Sequence, residues 1–172
     1  MTTIGITLEL PDPWATDLQQ YRLSLGDTSG EGIPAHITLL GPVDVVPELL
    51  DDVLGHLAKV VAAQGCFSVR LQGADSFRPV SPVVFVHVEE GGESCAALAE
   101  AVRSGPLGFD WEYPYHAHVT IAHGVEDSVL DRAEREFAGF GCEFTVDHIR
   151  VYHHQADEGW LPLTDLPLFA GC

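Results

Sequence analysis

Positive charge is the scarcest property of this 172-residue sequence. Eight lysines and arginines stand against 26 acidic residues, the formal net charge is −18, and Lys59 is the only lysine. Proteins that bind long RNA or DNA neutralise its phosphates with a track of basic residues, and this chain has none. Anionic membrane surfaces repel so acidic a protein as well. The composition therefore argues against both kinds of partner.

Long apolar runs and paired cysteines are also missing. No stretch approaches the roughly 20 apolar residues of a membrane-spanning helix. The N-terminus has no basic region before its apolar residues, so no signal peptide is expected. No Cys-x-x-Cys pair supports a zinc or redox motif, and we expect free thiols in a cytoplasmic protein. The four cysteines are Cys66, Cys95, Cys142 and Cys172.

What the chain does contain is enough apolar material for a core. Hydrophobic residues make up 46% of the sequence, eight of them Phe, and the mean hydropathy is +0.12. This composition is typical of a globular protein rather than a disordered one. We expect residues 1–172 to form one domain of two lobes, and to act as a monomer.

A short motif occurs twice. His36-Ile37-Thr38-Leu39 is followed later in the chain by His118-Val119-Thr120-Ile121. Alternate residues of a β-strand share a face, so each copy would direct an imidazole and a hydroxyl to one surface and its apolar residues to the core. Two such strands side by side would supply a base, an acid and two hydroxyl donors. Those groups suffice to cleave a phosphate ester without a metal.

The surroundings of the two motifs are similar too, since a helix and a Gly-Cys-initiated strand follow each of them. Hydrophobic periodicity and Gly/Pro positions predict the elements. Strands are expected at 3–10, 35–43, 66–71, 83–88, 115–122, 142–153 and 160–168, the last at a sheet edge because of its prolines. Helices are expected to start after Asp12 and to span 47–64, 93–103 and 126–137.

With these features the sequence resembles the two-histidine (2H) phosphoesterase superfamily, and within it the RNA 2′,3′-cyclic phosphodiesterases, also called 2′-5′ RNA ligases. Besides the two motifs, the resemblance includes Phe77-Arg78-Pro79 before an apolar strand and the closing Leu166-Pro167-Leu168. It covers nearly the whole chain. The paired motifs are specific for the superfamily and a weak guide to the subfamily.

The resemblance implies an α+β, bilobal fold. Two antiparallel β-sheets would be related by a pseudo-twofold repeat, with helices outside and a central cleft carrying both His-x-Thr motifs. By motif match, His36 and His118 would be catalytic, and Thr38 and Thr120 would bind phosphate. The chain departs from the family in its acidity and in having His153-His154 where relatives often have a serine.

The expected reaction is hydrolysis of a 2′,3′-cyclic phosphate by general acid–base catalysis. Histidine suits both proton transfers because its ordinary pKa, about 6.5, lies near working pH. The substrate would be a small nucleotide or an RNA end, and no cofactor or metal is required. Three further side chains are candidates for substrate contacts in the cleft: Tyr115, His116 and His154.

Other interpretations remain open at this point. His116 and His118 share a strand face, and a zinc site with His123, His153 or His154 is an alternative. The fold could also serve as a nucleotide-binding module without turnover, or catalyse the reverse reaction, 2′-5′ ligation. The tryptophans (Trp14, Trp111 and Trp160) could stack on bases, but isolated tryptophans are more often core or interface residues.

Overall fold

The computed structural model describes residues 1–169. It contains eight strands: Thr2–Glu9 (β1), His36–Val45 (β2), Phe67–Ser76 (β3), Val83–Glu90 (β4), His118–His123 (β5), Gly141–Val146 (β6), His148–Gln155 (β7) and Gly159–Pro167 (β8). Its α-helices are Trp14–Ser24 (α1), Leu50–Ala62 (α2), Gly92–Val102 (α3) and Asp127–Phe137 (α4). Short 3₁₀ turns cover Pro47–Leu49 and Gly105–Leu107.

The strands form one sheet in the order β6-β3-β4-β5-β2-β1-β7-β8, and every neighbouring pair is antiparallel. The α+β class with an antiparallel sheet is confirmed. The two expected sheets are joined into one, because the motif strands β2 and β5 pair with each other. Their pairing consists of one residue pair, Ile37 opposite Val119, with four strands on either side.

Each half of the sheet repeats the same local plan. In one half a strand, a helix and a motif strand follow in sequence as β1, α1 and β2; in the other they are β4, α3 and β5. In both halves the motif strand pairs with the strand that precedes it by one helix. This shared order fits the duplication read from the sequence, while the twofold axis itself stays a prediction.

The predicted strand over 142–153 is divided in the structure. β6 ends at Val146 and pairs with β3, whereas β7 begins at His148 and pairs with β1 on the other side of the sheet. The chain leaves one half of the sheet and enters the other at Asp147. Hydrophobic patterning did not reveal this break because the apolar residues alternate on both sides of it. The edge position predicted for the last strand, β8, is confirmed.

The helices are anchored by their apolar faces. In α2 the residues Val53, Leu57 and Val61 recur at four-residue intervals and are buried, as expected for an amphipathic helix. α3 packs against β2 and β4, and α4 packs against β3, β4 and β5. The start of α1 is stabilised by Asp12, whose carboxylate accepts a hydrogen bond from the backbone N–H of Thr16.

The cysteines differ from the expectation of four free thiols. Cys95 is buried and free, and Cys142 is also free, but Cys66 is disulfide-bonded. Burial raises the pKa of the Cys95 thiol to about 12. Cys172 lies outside the described residues.

Replacing Ile37 with alanine tests the importance of the junction between the motif strands. Ile37 is fully buried at the one point where β2 and β5 pair, so Ile37→Ala should lower the free energy of unfolding by about 2–5 kcal/mol. Chemical denaturation measures this loss. Val46→Ala, at a 40% exposed position just after β2, should change stability by less than about 0.5 kcal/mol. Equal small effects would show that the junction contributes little.

Candidate active site

The two motif histidines occupy equivalent positions: His36 is the first residue of β2 and His118 the first residue of β5. The residues that follow them, Ile37 and Val119, are fully buried. The histidines and the motif threonines lie on the opposite strand face and are only partly buried. The alternation predicted from the sequence is therefore confirmed for both copies.

The register of β2 and β5 places each histidine across from the other motif's threonine. Because the strands are antiparallel and Ile37 lies opposite Val119, His36 and Thr120 flank this pair on one side, and Thr38 and His118 flank it on the other. Two imidazoles and two hydroxyls thus meet on one small patch of the sheet.

Both imidazoles are held by the same kind of hydrogen bond. Nδ1 of His36 lies 2.7 Å from the carbonyl oxygen of Pro34, and Nδ1 of His118 lies 2.6 Å from that of His116. A carbonyl oxygen can only accept, so Nδ1 carries the proton in each neutral ring and Nε2 carries the lone pair. Each histidine can therefore accept or, once protonated, donate a proton at Nε2.

Aromatic side chains surround His118. The Phe77 ring meets it edge-on at a centroid distance of 4.9 Å, and Phe85 lies at 5.3 Å. Burial is the largest influence on this imidazole and lowers its pKa below 6.5; the carbonyl of His116 opposes that effect, and the nearby His116 and His36 rings add to it. Burial disfavours the charged form of a histidine because the interior solvates an imidazolium poorly.

The pKa of His36 is lowered as well. Burial lowers it to about 4, the hydrogen bond to Pro34 acts in the opposite direction, and the positive charge of Arg22 lowers it further. Arg22 is itself buried and ion-paired with Asp27. This pair organises the loop after α1, because Ser29 donates to Asp27 at 2.6 Å.

The threonine hydroxyls are free for a ligand. Neither Thr38 Oγ1 nor Thr120 Oγ1 forms a hydrogen bond with another side chain or backbone group among residues 1–169, and neither oxygen is sealed from solvent. A hydroxyl in that state can donate to an incoming anion without breaking an existing bond. That freedom is what a phosphate-binding role requires, although the role itself stays a prediction.

A pocket of about 570 Å³ opens beside this patch. Thr38, His118, Tyr115 and His116 line it, which agrees with the cleft positions expected for the last two. His116 also contacts Phe77, with ring centroids 5.2 Å apart. The substrate contacts predicted for Tyr115 and His116 are thus compatible with where these side chains lie.

Arg103 and Tyr115 reach the pocket from outside the motifs. Arg103 Nε donates to the carbonyl of Leu39 at 2.7 Å, and Tyr115 Oη donates to the carbonyl of Thr38 at 3.0 Å. Both side chains therefore fill the space where β2 diverges from β5. The sequence predicted Arg103 only as the end of a helix. Its contact with β2 depends on how α3 packs on the sheet, for which the sequence carries no local signal.

Phe77 is a further residue whose role was not assigned from the sequence. In the segment Phe77-Arg78-Pro79, the Phe77 ring forms a wall of the site. Arg78 points to α4 and pairs with Asp131 and Glu134. An aromatic residue in a loop gives no indication that it will pack on a histidine distant in sequence. The resemblance identified the segment, but not that Phe77 contacts His118 while Arg78 pairs with α4.

His154 is not part of the candidate site, contrary to the expectation. The register places His154 opposite Thr3, whereas His36 lies opposite Glu9, six residues further along β1. At 3.3 Å per residue this separates the two histidines by about 20 Å along the strands. His154 packs instead against Trp160, at a centroid distance of 5.2 Å. Alternation identified its face correctly but not its position along the strand.

The zinc alternative finds no cluster to support it. Over residues 1–169, no group of three or more His, Cys, Asp or Glu side chains is arranged to hold a metal ion. His153 and His154 lie far along β7 from His118, and Nδ1 of His123 lies 3.2 Å from the Ser29 hydroxyl.

Among residues 1–169, no helix is long and apolar enough to cross a membrane.

Two histidines and two hydroxyls on adjacent strands define a site of the phosphoesterase type. The sequence matches the 2′-5′ RNA ligase superfamily over residues 10–158. The chain therefore belongs to this superfamily of 2H phosphoesterases.

Similar proteins support the same assignment. A Bacillus cytotoxicus protein, provisionally named a phosphoesterase, is 28% identical over 132 residues, which are 74% of this chain and 75% of that protein. The structure of Escherichia coli LigT complexed with 3′-AMP aligns with a TM-score of 0.70 and 19% identity, over 98% of this chain and 99% of LigT. The Thermus thermophilus protein TT0787 gives a TM-score of 0.71 and 22% identity, over 98% of both chains. These structural likenesses confirm the fold.

Removing the Phe77 ring should raise the pKa of His118. Phe77→Ala would admit water to the imidazole, and a better-solvated ring should titrate closer to 6.5. NMR titration of the His118 ring protons measures this change. Val80→Ala removes a 74% exposed side chain from the same loop and should leave the titration unchanged. A pKa that does not move in Phe77→Ala would contradict the assigned role of the aromatic wall.

Proposed function

We propose that the protein hydrolyses a cyclic phosphodiester, namely the 2′,3′-cyclic phosphate of a small nucleotide or RNA end. The observation that carries the proposal is the pair of imidazoles on adjacent antiparallel strands, each with Nδ1 bonded to a carbonyl and Nε2 available. This arrangement suits a reaction that needs one proton removed and one proton delivered at the same phosphorus centre.

His36 is the proposed base and His118 the proposed acid. His36 has its pKa lowered to about 4, so it is neutral at physiological pH and can take a proton from water. His118 lines the pocket, and His36 is not among the described residues that do. The pocket is the available space for the nucleoside, which carries the leaving oxygen. We therefore expect the proton donor to be the histidine that lines the pocket, His118.

The proposed hydrolysis needs no reactant other than the cyclic phosphate and water. A water oxygen attacks phosphorus while its proton passes to Nε2 of His36, and the bond from phosphorus to one ribose oxygen breaks. That oxygen receives the proton from Nε2 of His118. Thr38 and Thr120 donate hydrogen bonds to the non-bridging oxygens, where negative charge increases in the transition state. The product is a phosphomonoester, and exchange with solvent restores both histidines.

The acidity of the protein limits the substrate. A net charge of −18 opposes binding of a long polyanion, so a mononucleotide or a single RNA end is proposed rather than an internal RNA site. For the same reason the reverse reaction, ligation of two RNA ends, is disfavoured, although the superfamily takes its name from it. The bound 3′-AMP of the LigT structure supports a nucleotide ligand here.

Removing either imidazole should abolish most of the activity. General acid–base catalysis typically contributes about 10²–10⁴-fold for each proton transfer, so His36→Ala and His118→Ala should lower kcat by that factor on 2′,3′-cyclic nucleotides. Circular dichroism should show both variants folded. His154→Ala, at a histidine remote from the site, serves as the control and should retain activity. Full activity in His36→Ala or His118→Ala would refute the mechanism, and wild-type binding of cyclic nucleotides without turnover would favour a non-catalytic module.

The pH profile tests whether the two histidines titrate at lowered pKa values. In the free enzyme, the activity should fall below about pH 4 as His36 gains a proton, and it should fall again as pH rises through the lowered pKa of His118. The optimum of kcat/KM should therefore lie below pH 6.5. Binding of an anionic phosphate favours the imidazolium, so the alkaline limb of kcat should lie at higher pH than that of kcat/KM. An optimum of kcat/KM above pH 7 would contradict the lowered pKa values of His36 and His118.

A further inference from the structure

An exposed aromatic segment precedes β5 and leads into the pocket. Phe109, Trp111 and Tyr113 alternate along it and are 50%, 37% and 62% exposed, respectively. Trp111 is therefore not a core residue, whereas a role at an interface stays a prediction. Large aromatic side chains left in solvent at the mouth of a pocket commonly mark a binding surface. Trp111 and Tyr113 both line the pocket that contains Thr38 and His118.

Arg103 lies against this segment. Its guanidinium carbon sits 4.3 Å from the Trp111 ring centroid and 5.1 Å from that of Tyr115, a cation–π arrangement. Only its Nε is used, in the bond to the Leu39 carbonyl. Over residues 1–169, no carboxylate pairs with Arg103, whereas most of the other arginines have an acidic partner. The two terminal nitrogens of Arg103 are therefore available to a ligand.

The balance of charge in the pocket favours a neutral ligand group. Glu112 lines the same pocket as Arg103, so the two side chains offset each other and the remaining walls are mostly aromatic. A second phosphate would be repelled by Glu112 and poorly solvated by these walls. A nucleobase presents a flat apolar face for stacking and a polar edge with both hydrogen-bond donors and acceptors.

We propose that Arg103, Trp111 and Tyr115 form a nucleobase-binding subsite that holds the base of the nucleotide whose phosphate reacts. The proposal rests on the proposed function. The base stacks on Trp111, while the free Arg103 nitrogens donate to ring or carbonyl acceptors on the base edge. Tyr115 fixes the subsite relative to the reacting centre, because its hydroxyl is bonded to the backbone of Thr38.

The subsite lies on the side where the leaving oxygen must be. The pocket includes Thr38 and His118, and the described residues lining it do not include His36 or Thr120. A nucleoside held there keeps its ribose next to His118, the proposed acid, and leaves the His36 side for water. The position of the pocket would then determine both where the base binds and which histidine protonates the leaving oxygen.

The kinetic test compares a substrate with a base and one without. The wild type is assayed on adenosine 2′,3′-cyclic phosphate and on the 2′,3′-cyclic phosphate of methyl riboside. Stacking on one aromatic side chain is expected to give the purine substrate at least about a tenfold higher kcat/KM. Trp111→Ala and Arg103→Met should lower kcat/KM for the purine substrate by about tenfold more than they lower it for the methyl riboside substrate.

The controls replace side chains of the same type outside the pocket. Phe109→Ala removes an exposed ring of the same segment, and Arg135→Met removes an arginine on α4; neither residue lines the pocket. Both should retain the wild-type preference for the purine substrate. Equal kcat/KM of the wild type on the two substrates, or equal losses on both in Trp111→Ala, would overturn the subsite.

A binding measurement separates this proposal from the proposed function. Adenosine 3′-monophosphate and methyl riboside 3-phosphate are titrated into His36→Ala protein by calorimetry, in the presence and absence of Trp111→Ala. Tighter binding of the adenosine compound that depends on Trp111 supports the subsite even if the wild type hydrolyses no cyclic phosphate. Equal binding of the two compounds overturns the subsite even if hydrolysis is observed.

Discussion

The contact between Ile37 and Val119 is the constraint on which the site depends. Because β2 and β5 are antiparallel and pair at this point, each motif histidine flanks the pair on the same side as the threonine of the other motif. A register shift of one residue in either strand would turn the histidine of that strand to the core face, and the full burial of Ile37 and Val119 opposes such a shift.

That the strands pair at only one point is as important as the pairing itself. Beyond Ile37, β2 separates from β5, and its carbonyl groups are satisfied by Arg103 and Tyr115 instead of by a neighbouring strand. Buried backbone carbonyls need such partners. The separation thereby creates the pocket and draws the two side chains into it, so the substrate space follows from incomplete pairing of the sheet.

Two effects of opposite sign act on the imidazoles, and burial is the stronger one. The carbonyls of Pro34 and His116 favour the protonated rings, yet both pKa values are lowered. A lowered histidine pKa means that the unfolded chain binds more protons than the folded one between the two pKa values, so His36 makes the fold less stable as pH falls from 6.5 towards 4. The same lowered pKa keeps the His36 imidazole neutral at pH 7, as the proposed role of base requires.

Local sequence patterns predicted the features that are set by residues close together in the chain. Alternation around His36 and His118 gave their faces. Periodicity gave the start of α1, and it gave both ends of α2, α3 and α4 within a few residues. What depends on distant packing could not be obtained this way. The aromatic wall of Phe77, the reach of Arg103 across α3 and the remote location of His154 are set by register and by helix docking, which no single segment encodes.

The motif histidines are neutral and the charges of Arg103 and Glu112 offset each other, so in an acidic protein this site has little electrostatic attraction for an anion. Affinity must therefore come from short-range contacts. The aromatic pocket and the two free hydroxyls are the groups that can supply it. Once bound, the phosphate favours the protonated form of His118, because a nearby negative charge raises the pKa of an imidazole. In the proposed reaction a bound phosphate would therefore promote protonation of the proposed acid, while His36, with a pKa of about 4, would stay neutral as the proposed base. The different surroundings of the two histidines, Arg22 near His36 and the Phe77 and Phe85 rings around His118, are what distinguishes them.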